Sequence, residues 1–155
     1  MNLRYLFISI CCVAFIPGLR GQVSDATFGD ISGRQIGPAR MSGRISCIDA
    51  ENKNPNTVWV GAAGGGVWKS INKGTTFKSV FDDYPQSVGA IAIDQNHPDT
   101  VWVGTGEVWV RNSVSVGTGI YRTINGGEKW EFMGLPASER IARILINPVN
   151  PDIVY

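Results

Sequence analysis

The stretch Asn54–Gly61, NPNTVWVG, returns as His97–Gly104, HPDTVWVG, and starts a third time at Asn150–Tyr155, NPDIVY. Each copy follows an apolar segment with strand character, and each full copy is followed by another. Successive copies begin roughly 43 and 53 residues apart, and periods of this length with several short strands are typical of propeller blades. The chain is therefore predicted to be built from repeated sheets.

The repeat predicts an all-β chain made of β-propeller blades, each with four antiparallel strands. A single small sheet cannot bury both of its faces, so neighbouring blades must cover one another. We expect two full blades, at about 43–83 and about 89–135, and the start of a third at about 141–155. The ring is then incomplete. A right-handed β-solenoid is the alternative fold, but its periods are typically shorter.

Each blade is expected to contain four strands, joined first to second by a tight Asn-Pro or His-Pro turn. The 19 glycines and the many Val, Ile and aromatic residues fit such a pattern of strands and turns. In the first blade the strands are predicted at 44–49, 57–61, 67–71 and 77–81. In the second they are predicted at 90–93, 100–104, 120–124 and 130–133, and the third begins with a strand at 141–147.

The turn between the third and fourth strands has the same chemistry in both blades, reading SINKGTTF at Ser70–Phe77 and TINGGEKW at Thr123–Trp130. An Asn side chain can accept backbone N–H bonds across such a turn, and Gly can adopt positive φ. The aromatic residue that follows is expected to enter the core. The residues that carry this chemistry are Ser70, Asn72, Gly74, Thr76, Phe77, Thr123, Asn125, Gly127 and Trp130.

These turns resemble the Asp-box of BNR-repeat propellers, of the sortilin-like and bacterial BNR-repeat glycosyl hydrolase types, over about residues 31–155. Both copies have Asn where the pattern usually has Asp, and the second has Lys129 in place of Thr. The resemblance implies a fold element that lies away from the ligand face. Asn72 and Asn125 are therefore structural residues and do not replace catalytic carboxylates.

The two repeats differ most in the loop between the second and third strands, which is short at Ala62–Gly66 and long at 105–119. Variable loops on a rigid scaffold often carry function, and the longer loop combines a carboxylate, an indole, a guanidinium and hydroxyls. The predicted ligand-binding residues are Glu107, Trp109, Arg111 and Asn112, together with Asp82 and Asp83 from the segment that joins the blades. Alternatively, Glu107 and Arg111 pair with each other or brace the loop.

Two functional classes remain open. The first is an extracellular binding or scaffold module for a protein, peptide or glycan, partnered by the remaining blades of the same protein. The second is a glycoside hydrolase, which needs two carboxyl groups roughly 5–10 Å apart, for example Asp82 with Glu107. Propellers host both classes, and binding is favoured because no acid pair is identifiable. A sialidase is disfavoured because Arg44-Ile45-Ser46 only approaches the expected Arg-Ile-Pro motif.

Composition and motifs exclude several other classes. The formal net charge is +1 and there is no basic run, so no nucleic-acid partner is expected. Gly64–Gly66 lacks the Lys-Ser/Thr of a phosphate-binding loop. No cluster has metal-ligand spacing, so neither a metal nor a cofactor is predicted. Cys47 lies in an alternating strand pattern and is interpreted as a small core residue.

The first 21 residues differ in kind from the rest of the chain. Arg4 precedes an apolar core at 5–16, which Pro17-Gly18 ends. About a dozen apolar residues are few for a membrane span, which needs roughly 20, so a secretory signal at 1–21 is predicted, with a retained anchor as the alternative. We expect a secreted or extracytoplasmic protein with no membrane span after cleavage and a lead-in segment at 22–40.

Overall fold

A computed structural model describes residues 44–109, 111–112 and 114–155. Within these ranges the chain forms eight strands in two sheets and no helix. It follows that the described part contains no helix with the length and hydropathy needed to cross a membrane. The predicted signal at 1–21 and the lead-in segment at 22–40 lie outside the described residues.

Each sheet is a four-stranded antiparallel meander in which strands adjacent in sequence are hydrogen-bonded neighbours. Blade 1 contains β1 (Ile45–Ala50), β2 (Val58–Ala62), β3 (Gly66–Ser70) and β4 (Lys78–Ser79). Blade 2 contains β5 (Val88–Ile93), β6 (Val101–Thr105), β7 (Ile120–Thr123) and β8 (Glu131–Gly134). The predicted fold class, two blades of four strands in an open ring, is confirmed.

The sequence repeat is also a repeat of register. Val58 pairs with Ala50 in blade 1, and the equivalent Val101 pairs with Ile93 in blade 2. Both first strands carry an irregularity at the same position, between Ile45 and Cys47 and between Val88 and Ala90. Such an irregularity bends a strand and increases its twist, so equivalent residues of the two blades occupy equivalent places.

Two predicted strands are shorter in the structure. The strand expected at 77–81 pairs at Lys78–Ser79, and one further cross-strand bond runs from the N–H of Val80 to the carbonyl of Val67 at 3.0 Å. The Ser79 hydroxyl then donates to the Asp82 carboxylate in the turn towards the next blade. The strand expected at 141–147 forms one bridge, Ile146 to Val154, flanked by backbone hydrogen bonds between Leu145 and Tyr155 and from the N–H of Asn147 to the carbonyl of Ile153.

Aromatic side chains fill the space between the blades. Trp59 of β2 meets Trp130 edge-on at 6.2 Å between ring centroids, and Phe81 meets Trp130 at 5.0 Å. Trp130 is further held by an indole N–H bond to the carbonyl of Val80, at 2.7 Å. Burying a side chain such as Phe81 completely stabilises the fold by about 1.5–3 kcal/mol. Each blade therefore supplies the cover that the other needs.

The β3–β4 and β7–β8 turns, called here the outer turns, use the same hydrogen bonds. In blade 1, Ser70 Oγ accepts from the N–H of Gly74 at 2.8 Å, and Asn72 Oδ1 accepts from the N–H of Thr76 at 2.9 Å. In blade 2, Thr123 Oγ1 and Asn125 Oδ1 accept equivalent bonds, both at 3.0 Å, from the N–H groups of Gly127 and Lys129. Trp130 is buried, whereas Phe77 is only half-buried.

Candidate functional site

The loops of the two blades separate to opposite ends of the strands. At one end, the segment that joins the blades meets the β2–β3 and β6–β7 loops. There the carbonyl of Gln86 accepts a hydrogen bond from the N–H of Gly66, and the carbonyl of Ser87 accepts one from the N–H of Gly106, both at 2.8 Å. At the other end, the outer turns meet the β1–β2 and β5–β6 turns, as in the 3.0 Å bond from Lys73 N–H to the Asn56 carbonyl. We call the first end the loop face.

The long β6–β7 loop, residues 106–119, is anchored at its base on the loop face. The carbonyl of Ser115 accepts from the backbone N–H of Glu107 at 3.0 Å and from the Ser87 hydroxyl at 3.1 Å. The N–H of Gly117 donates to the carbonyl of Glu139 at 2.7 Å. The loop is thus tied to the segments on both sides of blade 2.

A buried threonine and two glycines allow the backbone segments at the base of this loop to pack closely. Thr105 Oγ1 donates to the carbonyl of Gly119 at 2.7 Å and accepts from the N–H of Thr118 at 2.8 Å. A Cβ added at Gly117 would overlap the Thr105 backbone, and one added at Gly106, whose φ is 97°, would overlap the Glu139 carbonyl. Only glycine permits this close approach of backbones.

Glu107 is a bridge between blades. Its side chain is buried, and its carboxylate faces the guanidinium of Arg44, the residue that precedes β1. The carbonyl of Arg44 also accepts from the N–H of Ala63 at 2.9 Å. The structure therefore pairs Glu107 with Arg44 and not with Arg111, because Arg44 enters blade 1 beside the loop base whereas Arg111 lies out in solvent.

The tip of the loop presents three exposed side chains. Trp109 keeps 64% of its surface accessible, and Arg111 and Asn112 are also exposed. By comparison, the side chains of Trp59, Trp68 and Trp130 are at most 7% exposed. The loop thus carries one apolar ring and two polar groups away from an anchored base.

Asp82 and Asp83 occupy a different place. They line a groove of about 600 Å³ between the outer parts of the two blades, together with Lys78, Tyr84 and Glu128. None of the described residues of the β6–β7 loop lines this groove. Trp109, Arg111 and Asn112 are thus exposed on a loop in which Glu107 is buried, and Asp82 and Asp83 line a groove to which no described residue of that loop contributes.

Two titratable groups outside the loop have shifted pKa values. Burial raises the pKa of the Cys47 thiol to about 11, which fits its packing against the core between the blades. Burial also raises the pKa of Asp94, but hydrogen bonds from the N–H groups of Asn96 and His97 and from the His97 ring outweigh it and lower the pKa overall. Within 44–109, 111–112 and 114–155, no group of three or more His, Cys, Asp or Glu could hold a metal ion.

Arg44 is the functional neighbour that sequence reasoning did not assign to Glu107. The sequence does indicate this pair, because Arg44 directly precedes β1 and so lies at the same end of the strands as the β2–β3 and β6–β7 loops. Charge and strand direction together would have made Arg44 a candidate partner for Glu107.

Comparisons with known proteins give structural likeness alone. No family model matches the sequence, and no curated protein matches it either. An ancestral GH74 enzyme is similar in structure, with a TM-score of 0.58, 17% identity and 80% of this chain covered. The GH74 enzyme of Niastella koreensis gives a TM-score of 0.54 at 18% identity over 70% of this chain.

The chain spans only 17% and 16% of the length of these two enzymes. At such identities the likeness speaks for the fold and not for the chemistry of the site. Together with the two antiparallel sheets, it identifies the described residues as blades of a β-propeller.

Proposed function

We propose that this chain is part of a propeller that binds a glycan, with the tip of the β6–β7 loop as its contact surface. The observation that carries the proposal is the exposure of Trp109 on a loop whose base is fixed to blades 1 and 2. Because the base is anchored, little conformational entropy is lost when a ligand settles on the tip.

The three tip residues suit the chemistry of a sugar. An indole offers a broad apolar face with a polar N–H at its edge, and a sugar ring also has an apolar face and a polar rim. Arg111 can donate several hydrogen bonds, and the Asn112 amide can both donate and accept. A few oriented polar groups around an aromatic surface are the usual composition of a small-ligand site.

Binding is favoured over catalysis by the environment of the acids. Glu107 is buried and forms an ion pair with the guanidinium of Arg44, so its carboxylate already has a partner within the fold. Asp82 accepts from Ser79 and lines the separate groove between the blades. Among the described residues, no second acid stands beside Glu107 across an open cleft.

The test is binding of soluble neutral polysaccharides (β-glucan, xylan, mannan and dextran) to the complete protein, measured by calorimetry and affinity electrophoresis. Trp109→Ala should weaken binding about tenfold or more, which corresponds to roughly 1.4 kcal/mol. Ile124→Ala is the matched control, because Ile124 is equally exposed but lies in an outer turn at the opposite end. Equal affinities of the two variants, or binding of peptides alone, would contradict the proposal.

A glycoside hydrolase is the second candidate, supported by the likeness to two GH74 enzymes. In that case acids elsewhere in the complete protein complete a carboxylate pair, with Glu107 as the member on this chain. Release of reducing ends from the same polysaccharides, lost in Glu107→Gln while folding is retained, would favour this candidate over binding.

We also propose that the chain is related to Asp-box propellers of the BNR-repeat or sortilin-like type, and that it is exported from the cell. The first is supported by the matching hydrogen bonds of the two outer turns. The second is supported by the sequence of residues 1–21. N-terminal sequencing of the exported protein, with Gln22 expected first, tests it.

A further inference from the structure

The two outer turns have the same backbone conformation after their asparagine but differ in the residue that adopts it. Asn72 is followed by Lys73, with φ 60°, and Asn125 is followed by Gly126, with φ 68°. Both asparagines are exposed, so water reaches their side-chain amides. The chain therefore holds the same side chain in two matched turns, once before a lysine and once before a glycine.

The side-chain amides of the two asparagines have different partners. In blade 1, Nδ2 of Asn72 donates to Oγ1 of Thr76 at 2.9 Å. The equivalent of Thr76 in blade 2 is Lys129, whose ammonium group cannot accept a hydrogen bond. Oδ1 of Asn125 is bound by the Thr123 hydroxyl at 2.8 Å and by the N–H of Lys129 at 3.0 Å. No described residue accepts a hydrogen bond from Nδ2 of Asn125.

An asparagine of this kind can lose its amide by an attack from the backbone. The nitrogen of the next residue bonds to Cγ of the asparagine, the Cγ–Nδ2 bond breaks, and ammonia leaves with the proton of the backbone N–H. Water then opens the cyclic imide and gives an aspartate or an isoaspartate. A side chain on the next residue crowds this attack, whereas glycine lets the two groups approach closely.

One backbone hydrogen bond opposes the attack, and it is alike in both turns. The N–H of Gly126 donates to the carbonyl of Asp99 at 2.9 Å, and the N–H of Lys73 donates to the carbonyl of Asn56 at 3.0 Å. Each bond must open before the nitrogen can reach Cγ. Because this restraint is shared, the turns differ in the residue after the asparagine and in the partner of its amide.

We propose that Asn125 is a site of spontaneous deamidation in the folded protein, and that the outer turn of blade 2 accepts the aspartate that results. A carboxylate at this position accepts the same two bonds, from the Thr123 hydroxyl and from the N–H of Lys129, and charge strengthens both. The modification adds a negative charge beside the ammonium group of Lys129. Asn72, in the equivalent turn, is the protected counterpart.

The experiment stores the complete folded protein at mildly alkaline pH, where the backbone nitrogen loses its proton more readily, and follows both asparagines by peptide mapping with mass spectrometry. Asn125 should convert about tenfold faster than Asn72, because glycine leaves the attack uncrowded and no bond to a threonine hydroxyl holds the amide. Equal rates at the two asparagines would overturn the proposal. So would conversion of Asn125 in urea alone, because the native turn would then block the attack.

Two surface variants exchange the features of the turns. Lys73→Gly should accelerate the conversion of Asn72 several-fold, since the backbone there already has a φ that glycine adopts readily. Lys129→Thr should slow the conversion of Asn125 several-fold, because it supplies the hydroxyl that Thr76 supplies in blade 1. Rates that stay the same in both variants would overturn the proposal.

A further variant, Asn125→Asp, reproduces the aspartate product. Its midpoint of thermal unfolding should be at least that of the wild type, because both hydrogen bonds to Oδ1 are retained. A lower midpoint would overturn the claim that the turn accepts a carboxylate.

Discussion

Gly127 shows how closely the two blades approach at a single residue. Its φ is 94°, and an added Cβ would lie 2.9 Å from Cη2 of Trp59. Gly127→Ala therefore combines left-handed strain with overpacking, and we expect a loss of about 2–5 kcal/mol in the free energy of unfolding. Urea denaturation measures it.

Gly126→Ala is the control for that measurement. Gly126 also has positive φ, at 68°, but the nearest atom to its added Cβ is the mobile Nζ of Lys69. Only the backbone strain of about 1–2 kcal/mol should remain. Equal losses for the two variants would show that Trp59 does not press on this turn.

Asp94 gives the chain a defined response to acid. Its pKa in the fold lies below the ordinary value of 3.8, so the ionised carboxylate contributes stability above pH 3.8, and this contribution is lost as the pH falls through the folded-state pKa. Asp94→Asn should therefore be less stable than wild type at neutral pH, and the gap should close below pH 3.8. Asp152→Asn, at an exposed carboxylate, is the control, and a gap that does not change with pH would contradict the assignment.

Individual contacts were predictable where the partners are close in sequence. The bonds within Ser70–Phe77 and Thr123–Trp130 follow from residue types over eight positions, and both turns were predicted. The pair between Glu107 and Arg44 was not, because it joins residues of different blades. Sequence distance alone favours Arg111 as the partner, and only the register of β1 beside the loop base selects Arg44.

Strands and loops were predictable to a similar degree. Alternating apolar residues and the repeat predicted all eight strands, because each central strand needs a pleated, half-buried pattern. The fourth strand of blade 1 was predicted too long, since its pairing covers Lys78–Ser79 and the chain then enters a local turn in which Ser79 donates to Asp82. The placement of Asp82 depends on that local turn, and for this reason the groove between the blades was not predicted.

The β6–β7 loop offers a prediction of its own. Gly117→Ala should displace the loop base, because the added Cβ would overlap the backbone of Thr105. We expect glycan affinity to fall as it does in Trp109→Ala, while the sheets remain folded by circular dichroism. Ser115→Ala keeps the backbone carbonyl that anchors the loop and should bind normally. Normal binding by Gly117→Ala would contradict an anchored loop.

The described residues form two blades, and the sheet of the second covers the sheet of the first. The interface between the two blades is centred on Trp59 and Trp130, whose ring centroids lie 6.2 Å apart. The loop face, in contrast, changes from blade to blade, from five residues of Ala and Gly to the long loop with Trp109. The residues that repeat form the strands and turns of the blades, whereas the loop that differs between the repeats forms the candidate binding surface.

The most direct test of this account follows the five tryptophan indole N–H signals by NMR, in protein labelled with ¹⁵N-tryptophan. Trp109→Phe identifies the Trp109 signal. Titration with cello-, xylo- and manno-oligosaccharides should shift the Trp109 signal and leave those of the buried Trp59 and Trp130 in place. Saturation by an oligosaccharide with no change at Trp109 would contradict the claim that this loop binds glycan.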